Sequence, residues 1–249
     1  MHSLLKSIAI AVIITQFAIL ATTVYLHRTL SHRALKLGKT STFIFRIILW
    51  ISTGIIPREW VAVHRKHHAN TDVPGDPHSP IVETFALVQF ANVYLYRKAA
   101  KNPENLKKYA KDLPADKWDR LLFDKSLLGL GIGITILFLL FGPVVAIFAS
   151  LIHMAGYLLL SAAVNAIGHT FGERPFNNLA TNNNWLAILT CGEGLHNNHH
   201  AAPTASKLSF KTSQIDPGWW AIKFLVGIGQ ATVRLAAPKF KTVHETSEA

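Results

Sequence analysis

The stretch SIAIAVIITQFAILATTVYL, residues 7–26, is twenty residues long and contains no charged side chain. A helix of about twenty apolar residues is long enough to cross the roughly 30 Å hydrocarbon core of a bilayer. A secretory signal peptide would end in a small-residue cleavage site, but here His27 follows the apolar stretch at once. The stretch therefore predicts a retained transmembrane helix.

A second charge-free stretch runs from residue 126 to residue 164. Its 39 residues are too many for one transmembrane helix and the right number for two. Gly142 and Pro143 lie near its middle, where a helical hairpin needs a tight turn. This pattern predicts two further transmembrane helices, over residues 126–142 and 144–164.

The apolar run at residues 41–57 is shorter and contains Arg46. An arginine at the centre of a transmembrane helix costs a few kcal/mol even on insertion scales. We therefore expect an interfacial or re-entrant helix rather than a fourth transmembrane helix.

The lysines and arginines predict the topology. Of the 25, four lie at residues 28–40, twelve at 58–125 and seven after residue 164. Positive charge collects on the cytoplasmic side, and all three regions can lie there only if residues 41–57 do not cross. The prediction is one domain over residues 1–249, with an outside N-terminus and cytoplasmic segments at 58–125 and 165–249.

The composition agrees with an all-α integral membrane protein of about three transmembrane helices, an interfacial helix and a cytoplasmic helical cap. Half of the chain is hydrophobic and only 16% is charged, which is below the usual quarter for soluble domains. The net charge of +11 suits anionic lipid or an anionic substrate. Nucleic acid is not expected, because the basic residues flank apolar segments and form no continuous basic face. Cys191 is the only cysteine, which excludes a cysteine-based metal site.

Nine of the thirteen histidines fall in clusters or beside the end of a transmembrane helix. They are His27, His32, His64, His67, His68, His169, His196, His199 and His200. On a helix the spacing i, i+3, i+4 places side chains on one side, so each of the two HxxHH triplets should converge. The i, i+5 pair of His27 and His32 does not share a helical face.

Imidazole is the commonest nitrogen ligand for transition metals, and one ion takes about four to six ligands. Nine grouped histidines therefore suit two metal ions. The remaining histidines have simpler explanations. His2 and His244 receive no role, His78 is expected to be structural, and His153 is expected to hydrogen-bond to a neighbouring helix.

The histidine motifs lie in the stretches HRTLSHR, WVAVHRKHHANTDVPGDPHSP, NAIGHTFGERPF and GEGLHNNHH, in that order. Their pattern resembles the membrane fatty acid desaturase family, and most of all its stearoyl-CoA-type Δ9 members. The resemblance implies two irons held by the nine histidines, with Asn165 reaching one iron through water. Asp76 and Glu193 are candidates for orienting the ligand rings. Val63 departs from the animal acyl-CoA enzymes, which have an acidic residue there.

The resemblance also implies a function. We expect an O2-dependent desaturase that introduces a cis double bond, at Δ9, into a long-chain acyl thioester or acyl lipid. Electrons would come from a separate protein such as ferredoxin, or cytochrome b5 with its reductase. The expected location is a bacterial inner membrane, with the active site on the cytoplasmic face.

Two other functions are considered. The first is a membrane diiron hydroxylase of fatty acyl or alkyl substrates, which uses similar histidine motifs. The second, a metal transporter, is disfavoured, because residues 7–26 contain no Asp, Glu, His, Lys or Arg and residues 126–164 contain only His153. The tryptophans could line an acyl channel, but the membrane interface is the more common place for Trp60, Trp185, Trp219 and Trp220.

Overall fold

The structure is a computed structural model that describes residues 2–238. It confirms the predicted all-α membrane fold. Predictions for His244 and for the end of the 165–249 segment lie outside the described residues. The α-helices are α1 His2–Ala21, α2 Lys39–Ser52, α3 Pro57–Ala69, α4 Phe85–Ala100, α5 Pro103–Tyr109, α6 Ser126–Phe141, α7 Pro143–Ala166, α8 Asn184–Leu189, α9 His196–Ala201 and α10 Pro217–Gly227.

Helix α1 continues without a break into a π-helix, Thr22–Ser31. The His32 N–H donates to His27 O at 3.1 Å, and the Thr29 hydroxyl donates to Val24 O at 2.7 Å, both five residues back. In a π-helix, residues i and i+5 are about one turn apart. The expectation that His27 and His32 do not share a face is therefore wrong, and their ring centroids are 4.8 Å apart.

Helices α6 and α7 form the predicted hairpin. The turn is Gly142, whose φ of +80° favours glycine, and α7 continues into a 3-10 turn at Ile167–His169. Helix α7 packs along α1, where the Thr15 hydroxyl lies 2.9 Å from His153 Nδ1. Two helical segments, His2–Ser31 and Pro143–His169, are long and apolar enough to cross a membrane, whereas α6 is shorter.

Helices α2 and α3 are bent by 91° relative to each other. The C-terminal end of α2 reaches the middle of α7, where His153 Nε2 donates to Ser52 O at 2.9 Å, so His153 does bond to a neighbouring helix. His32, before α2, and His64, on α3, lie side by side, with their Nε2 atoms 2.8 Å apart. The chain therefore returns after α2 to the side of the membrane from which it entered. This geometry supports the prediction that residues 41–57 do not cross the bilayer.

Two glycines let α2 lie directly against α6. A Cβ on Gly129 would come within 2.4 Å of Trp50 O, and one on Gly133 within 2.2 Å of Ile51 O. Small residues four apart allow helix backbones to approach closely in a membrane. The Trp50 indole N–H also donates to Lys125 O at 3.0 Å, which fixes the height of α2 beside α6.

Arg46 is buried, but its charge is paired. Its guanidinium donates to Asp116 at 2.7 Å and to Asp119 at 2.5 Å, and it lies 4.2 Å above the Phe123 ring. These partners precede α6, about 70 residues further along the chain. The free-energy cost of placing an unpaired arginine in a membrane therefore does not apply to Arg46. The contact between His32 and His64 is the better argument that residues 41–57 do not cross.

The cap consists of α3 to α5, α8 to α10, a π-helix at Asp119–Phe123 and the connections between them. It also contains one feature that the all-α prediction lacked. Strands Leu35–Leu37 and Ala231–Val233 pair antiparallel, and they form the one sheet among residues 2–238. This strand pair joins the segment after the π-helix Thr22–Ser31 to the segment after α10.

We predict that positions 36 and 66 are accessible from the same side of the membrane. The test is cysteine labelling of Lys36→Cys and Lys66→Cys in a Cys191→Ser background, with a membrane-impermeant reagent on sealed, oriented vesicles. His2→Cys, near the predicted outside N-terminus, should label from the opposite side. Labelling of positions 36 and 66 from opposite sides would contradict the topology.

Candidate metal centre

The nine predicted histidines lie together in two groups. Within each group, one ring nitrogen of every histidine lies within 4.8 Å of those of the other members. The first group is His27, His32, His64, His68 and His199, and the second group is His67, His169, His196 and His200. Five side chains in one group and four in the other match the coordination number of one transition metal ion each.

Each HxxHH triplet contributes to both groups. On α3, His64 and His68 belong to the first group and His67 belongs to the second. On α9, His199 belongs to the first group and the i, i+4 pair of His196 and His200 belongs to the second. The spacing predicted convergence correctly, but the division of each triplet between two groups depends on how α3 and α9 face each other.

The distances between ring nitrogens fit a metal ion. In the first group, His199 Nε2 is 3.0 Å from His27 Nε2 and 2.9 Å from His68 Nε2. In the second group, His200 Nε2 is 3.2 Å from His196 Nε2. Two imidazole nitrogens bound to one ion at about 2.1 Å, with angles between 90° and 109°, are about 3.0–3.4 Å apart.

The predicted orienting carboxylates do contact ligand candidates. Asp76 accepts from His67 Nδ1 at 2.8 Å, and Glu193 accepts from His27 Nδ1 at 2.7 Å. A carboxylate accepts and cannot donate when ionised, so the proton is on Nδ1 and the lone pair is on Nε2. These two Nε2 atoms face the other histidines of their groups, as metal ligation requires.

A third carboxylate was missed by the sequence analysis. Asp72 accepts from His169 Nδ1 at 2.8 Å, although its backbone has a φ of +61°. Its own N–H donates to Asp76 at 2.9 Å, so the two acids are held in one turn between α3 and α4. The remaining nitrogen, His169 Nε2, is buried without a hydrogen-bond partner among residues 2–238 and belongs to the second group. The turn-rich sequence TDVPGDPHSP carried the signal, because it places a second acid four residues before Asp76.

Burial favours the neutral form of several clustered rings. Removal from water, and then the neighbouring rings, hold the pKa of His196, His199 and His200 well below the ordinary value. Burial raises the pKa of the Glu193 carboxyl, but the His27 ring and the hydrogen bonds outweigh it, so that its pKa is below the ordinary value. Asp76 behaves in the same way beside His67. Neutral rings with ionised carboxylates behind them are the charge state that binds a metal ion.

Asn165 and His78 belong to neither of the two histidine groups. Asn165 lies near the end of α7, four residues before His169, and is half-buried. His78 is buried, and neither of its ring nitrogens has a hydrogen-bond partner among residues 2–238. Its ring centroid is 5.1 Å from that of His67, and with His67 and Asp76 it forms a third group of possible metal ligands outside the two groups above.

One cavity reaches both groups. It has a volume of about 470 Å³ and is lined by His32 and His68 of the first group and His200 of the second. Thr71, Asp72, Asn178, Leu179 and Pro203 complete the lining. The candidate centre is therefore buried on most sides and approachable from this one.

A buried ion pair that was not predicted from the sequence holds the first histidine motif against the segment that follows the last one. Arg28 donates to Asp216 at 2.9 Å, and both side chains are at most 1% exposed. The same guanidinium donates to Cys191 O at 3.2 Å, next to the sequence GEG at residues 192–194. A Cβ on Gly192 would come within 2.3 Å of Asp216, so glycine is required at this crossing.

We predict that Asp216→Ala lowers the free energy of unfolding by about 3–5 kcal/mol, because it leaves the Arg28 charge buried and unpaired. Asp112→Ala is the matched control. Asp112 pairs with Arg33 and Arg65 at a partly exposed site, where ion pairs contribute about 0–1 kcal/mol. Denaturant titration in mild detergent gives both values, and equal losses would contradict the assignment.

Comparison with known proteins agrees with this site. The model of the fatty acid desaturase family matches residues 5–210. An acyl-CoA C20 Delta5-desaturase of Anemone leveillei is 34% identical over 220 residues, which is 86% of this chain and 69% of that protein. Delta-9 acyl-lipid desaturase 2 of Arabidopsis thaliana is 31% identical, with 86% and 69% covered. A hex-5-enoyl-[acyl-carrier protein] acetylenase of Moorena producens is 30% identical, with 90% and 76% covered.

These relatives do not favour the hydroxylase alternative. The motifs, the two histidine groups and the family match, which extends over most of the chain, agree with one another. The chain therefore belongs to the fatty acid desaturase family and is an integral membrane oxidoreductase.

Proposed function

We propose that this chain inserts a cis double bond at Δ9 of a long-chain fatty acyl substrate, using two irons. The first iron would be held by the first histidine group and the second by the second group, with Asn165 reaching one of them through water. The observation that carries the proposal is the division of nine clustered histidines into groups of five and four. One ion could not use nine ligands, and two ions can.

Iron would supply the chemistry that side chains lack, which is the use of O2 to remove hydrogen from an unactivated C–H bond. The reaction balances when two hydrogens leave adjacent carbons and two electrons and two protons arrive from outside. One O2 then becomes two waters and one C–C bond becomes a double bond. The two electrons require a separate donor, for which ferredoxin, or cytochrome b5 with its reductase, is proposed.

The protein's own residues prepare the site for this chemistry. Three carboxylates each accept a hydrogen bond from the Nδ1 of one imidazole ring and so fix the orientation of that ring. They are Asp72, Asp76 and Glu193. Fixed rings need little rearrangement when a metal binds or changes its charge. Trp60 stacks on His64 with ring centroids 4.9 Å apart and covers one side of the first group with an apolar surface. Such a surface excludes water and suits an acyl chain.

We propose that the acyl chain of the substrate is linked to CoA, to a carrier protein or to a lipid. Relatives include an acyl-CoA desaturase, an acyl-lipid desaturase and an acyl-carrier-protein acetylenase. Val63, where the animal acyl-CoA enzymes have an acid, is buried in this structure and cannot contact a carrier in solvent. We propose a bacterial inner membrane as the location, with the centre on the cytoplasmic face.

We predict that expression in a host lacking unsaturated fatty acids produces cis-Δ9 monounsaturated acyl chains. The measurement is mass spectrometry of total lipids with double-bond localisation. The matched control is His64→Ala, which removes a ligand of the first group and should abolish the product. Hydroxylated chains in place of unsaturated ones would contradict desaturation, and unsaturation at another position would contradict only Δ9.

We predict that the orienting carboxylates affect the two metal sites separately. Loss of such a partner typically lowers metal affinity about 10–100-fold. Asp72→Ala should weaken only the second site and Glu193→Ala only the first, so that each variant keeps about one tightly bound ion per chain. Metal titration of the purified variants measures this, with wild-type protein expected to hold two. Equal loss at both sites in either variant would contradict the assignment.

We predict different outcomes for Asn165→Ala and His169→Ala. A side-chain amide that holds a metal-bound water contributes little to metal affinity, so Asn165→Ala should keep most of the metal and lose most of the turnover. His169→Ala removes a direct ligand and should lower metal content itself. Metal content and desaturated product are measured on both. Near wild-type turnover in Asn165→Ala would show that the amide only caps or packs the end of α7.

A further inference from the structure

Part of the segment predicted to be cytoplasmic lies beside the transmembrane helices. The last residue of α8 accepts a hydrogen bond deep along α1, since Gln16 Nε2 donates to Leu189 O at 3.2 Å. Two residues later, Cys191 packs in a buried cluster with Ala18 of α1 and Tyr157 of α7. The C-terminal end of α8 is therefore level with the interior of both helices.

The length of α7 gives the depth of this contact. The stretch from residue 126 to 164 has no charged residue, so the hairpin turn before Pro143 marks the far side of the hydrocarbon. From there, about 20 residues at 1.5 Å each cross a 30 Å core and end near residue 163. Tyr157 lies six residues short of that boundary, so the chain at Cys191 is about 9 Å inside the hydrocarbon.

The exposed surface of α8 is apolar, as a position inside the hydrocarbon requires. Trp185 is 80% exposed, and Ile188 and Leu189 are 38% and 48% exposed. Residues 184–191, NWLAILTC, include no charged side chain. A helix of this kind in water would leave a contiguous apolar surface uncovered, whereas lipid acyl chains cover it at no cost.

Helix α4 repeats the arrangement. Gln89 donates to Leu159 O of α7 at 3.1 Å, about 6 Å inside the same boundary. Phe90 and Tyr94 are 73% and 61% exposed at this level. The exposed face becomes basic at Arg97, one turn after Tyr94, where a helix leaving the hydrocarbon would meet lipid phosphates.

We propose that α8 and the first half of α4 are immersed in the leaflet nearest the metal centre, with their exposed apolar side chains against lipid acyl chains. The proposal commits to lipid because both helices bond to the transmembrane helices at this depth and expose large apolar side chains there. It restricts the predicted cytoplasmic segments 58–125 and 165–249 to their parts outside α4 and α8. It rests on membrane insertion alone and is independent of the metal and of the reaction.

The test uses the full chain in vesicles, with a nitrobenzoxadiazole fluorophore on a single cysteine in a Cys191→Ser background. The labelled position is Trp185→Cys. Phe148→Cys, half-exposed within α7, serves as the lipid-facing control, and Asn177→Cys, exposed in the cap, serves as the water-facing control. Quenching is measured with lipids brominated on the acyl chain and, separately, with aqueous iodide.

We expect position 185 to match position 148, with strong quenching by brominated lipid and at least a fivefold weaker response to iodide than position 177. Quenching by iodide at the level of position 177 would place α8 in water and overturn the proposal. Protection from both quenchers would show that protein covers Trp185, from a second copy or a partner, and would also overturn it. Phe90→Cys repeats the measurement for α4, so that a folding defect at position 185 does not decide the outcome.

Discussion

Nine imidazole rings lie in two close groups, and six of them are buried. Burial disfavours the charged form of a ring, and a second charged ring about 3 Å away would repel it. Burial and the neighbouring rings accordingly hold the pKa of His32, His196, His199 and His200 well below the ordinary value. The histidine cluster thus favours neutral rings, and neutral rings with their nitrogens about 3 Å apart are able to bind a metal ion.

The way in which the helices supply the rings couples the two groups. Helix α3 contributes to both groups and so does α9, so a shift of either helix would disturb both histidine groups together. The π-helix brings His27 and His32 to the same side, and Arg28, next to His27, is bonded to the chain just before α9 and to Asp216. Precise placement of the rings therefore depends on contacts between segments more than 150 residues apart, rather than on any one motif.

The sequence predicted the parts that depend on local spacing and composition. Twenty uncharged residues before His27, a hairpin at Gly142 and two HxxHH motifs indicated the helices and the histidine cluster. The π-helix was not predictable, because it changes the pitch that the spacing argument assumed. Asp72 was missed because its role depends on a left-handed turn that folds it back beside Asp76. The pairing of Arg46 with Asp116 and Asp119 was hidden for a similar reason, since about 70 residues separate them.

The six-residue helix α8 was also invisible to a hydropathy argument, which needs about twenty residues to recognise a transmembrane segment. Its depth follows from contacts with Gln16 and Tyr157 instead. Only six residues separate the end of α8 at Leu189 from His196, so the exposed apolar surface of α8 and the second histidine group are close along the chain. The cavity that reaches both histidine groups is lined on its other side by Thr71, Asn178 and Pro203, so the centre itself is approachable from the cap.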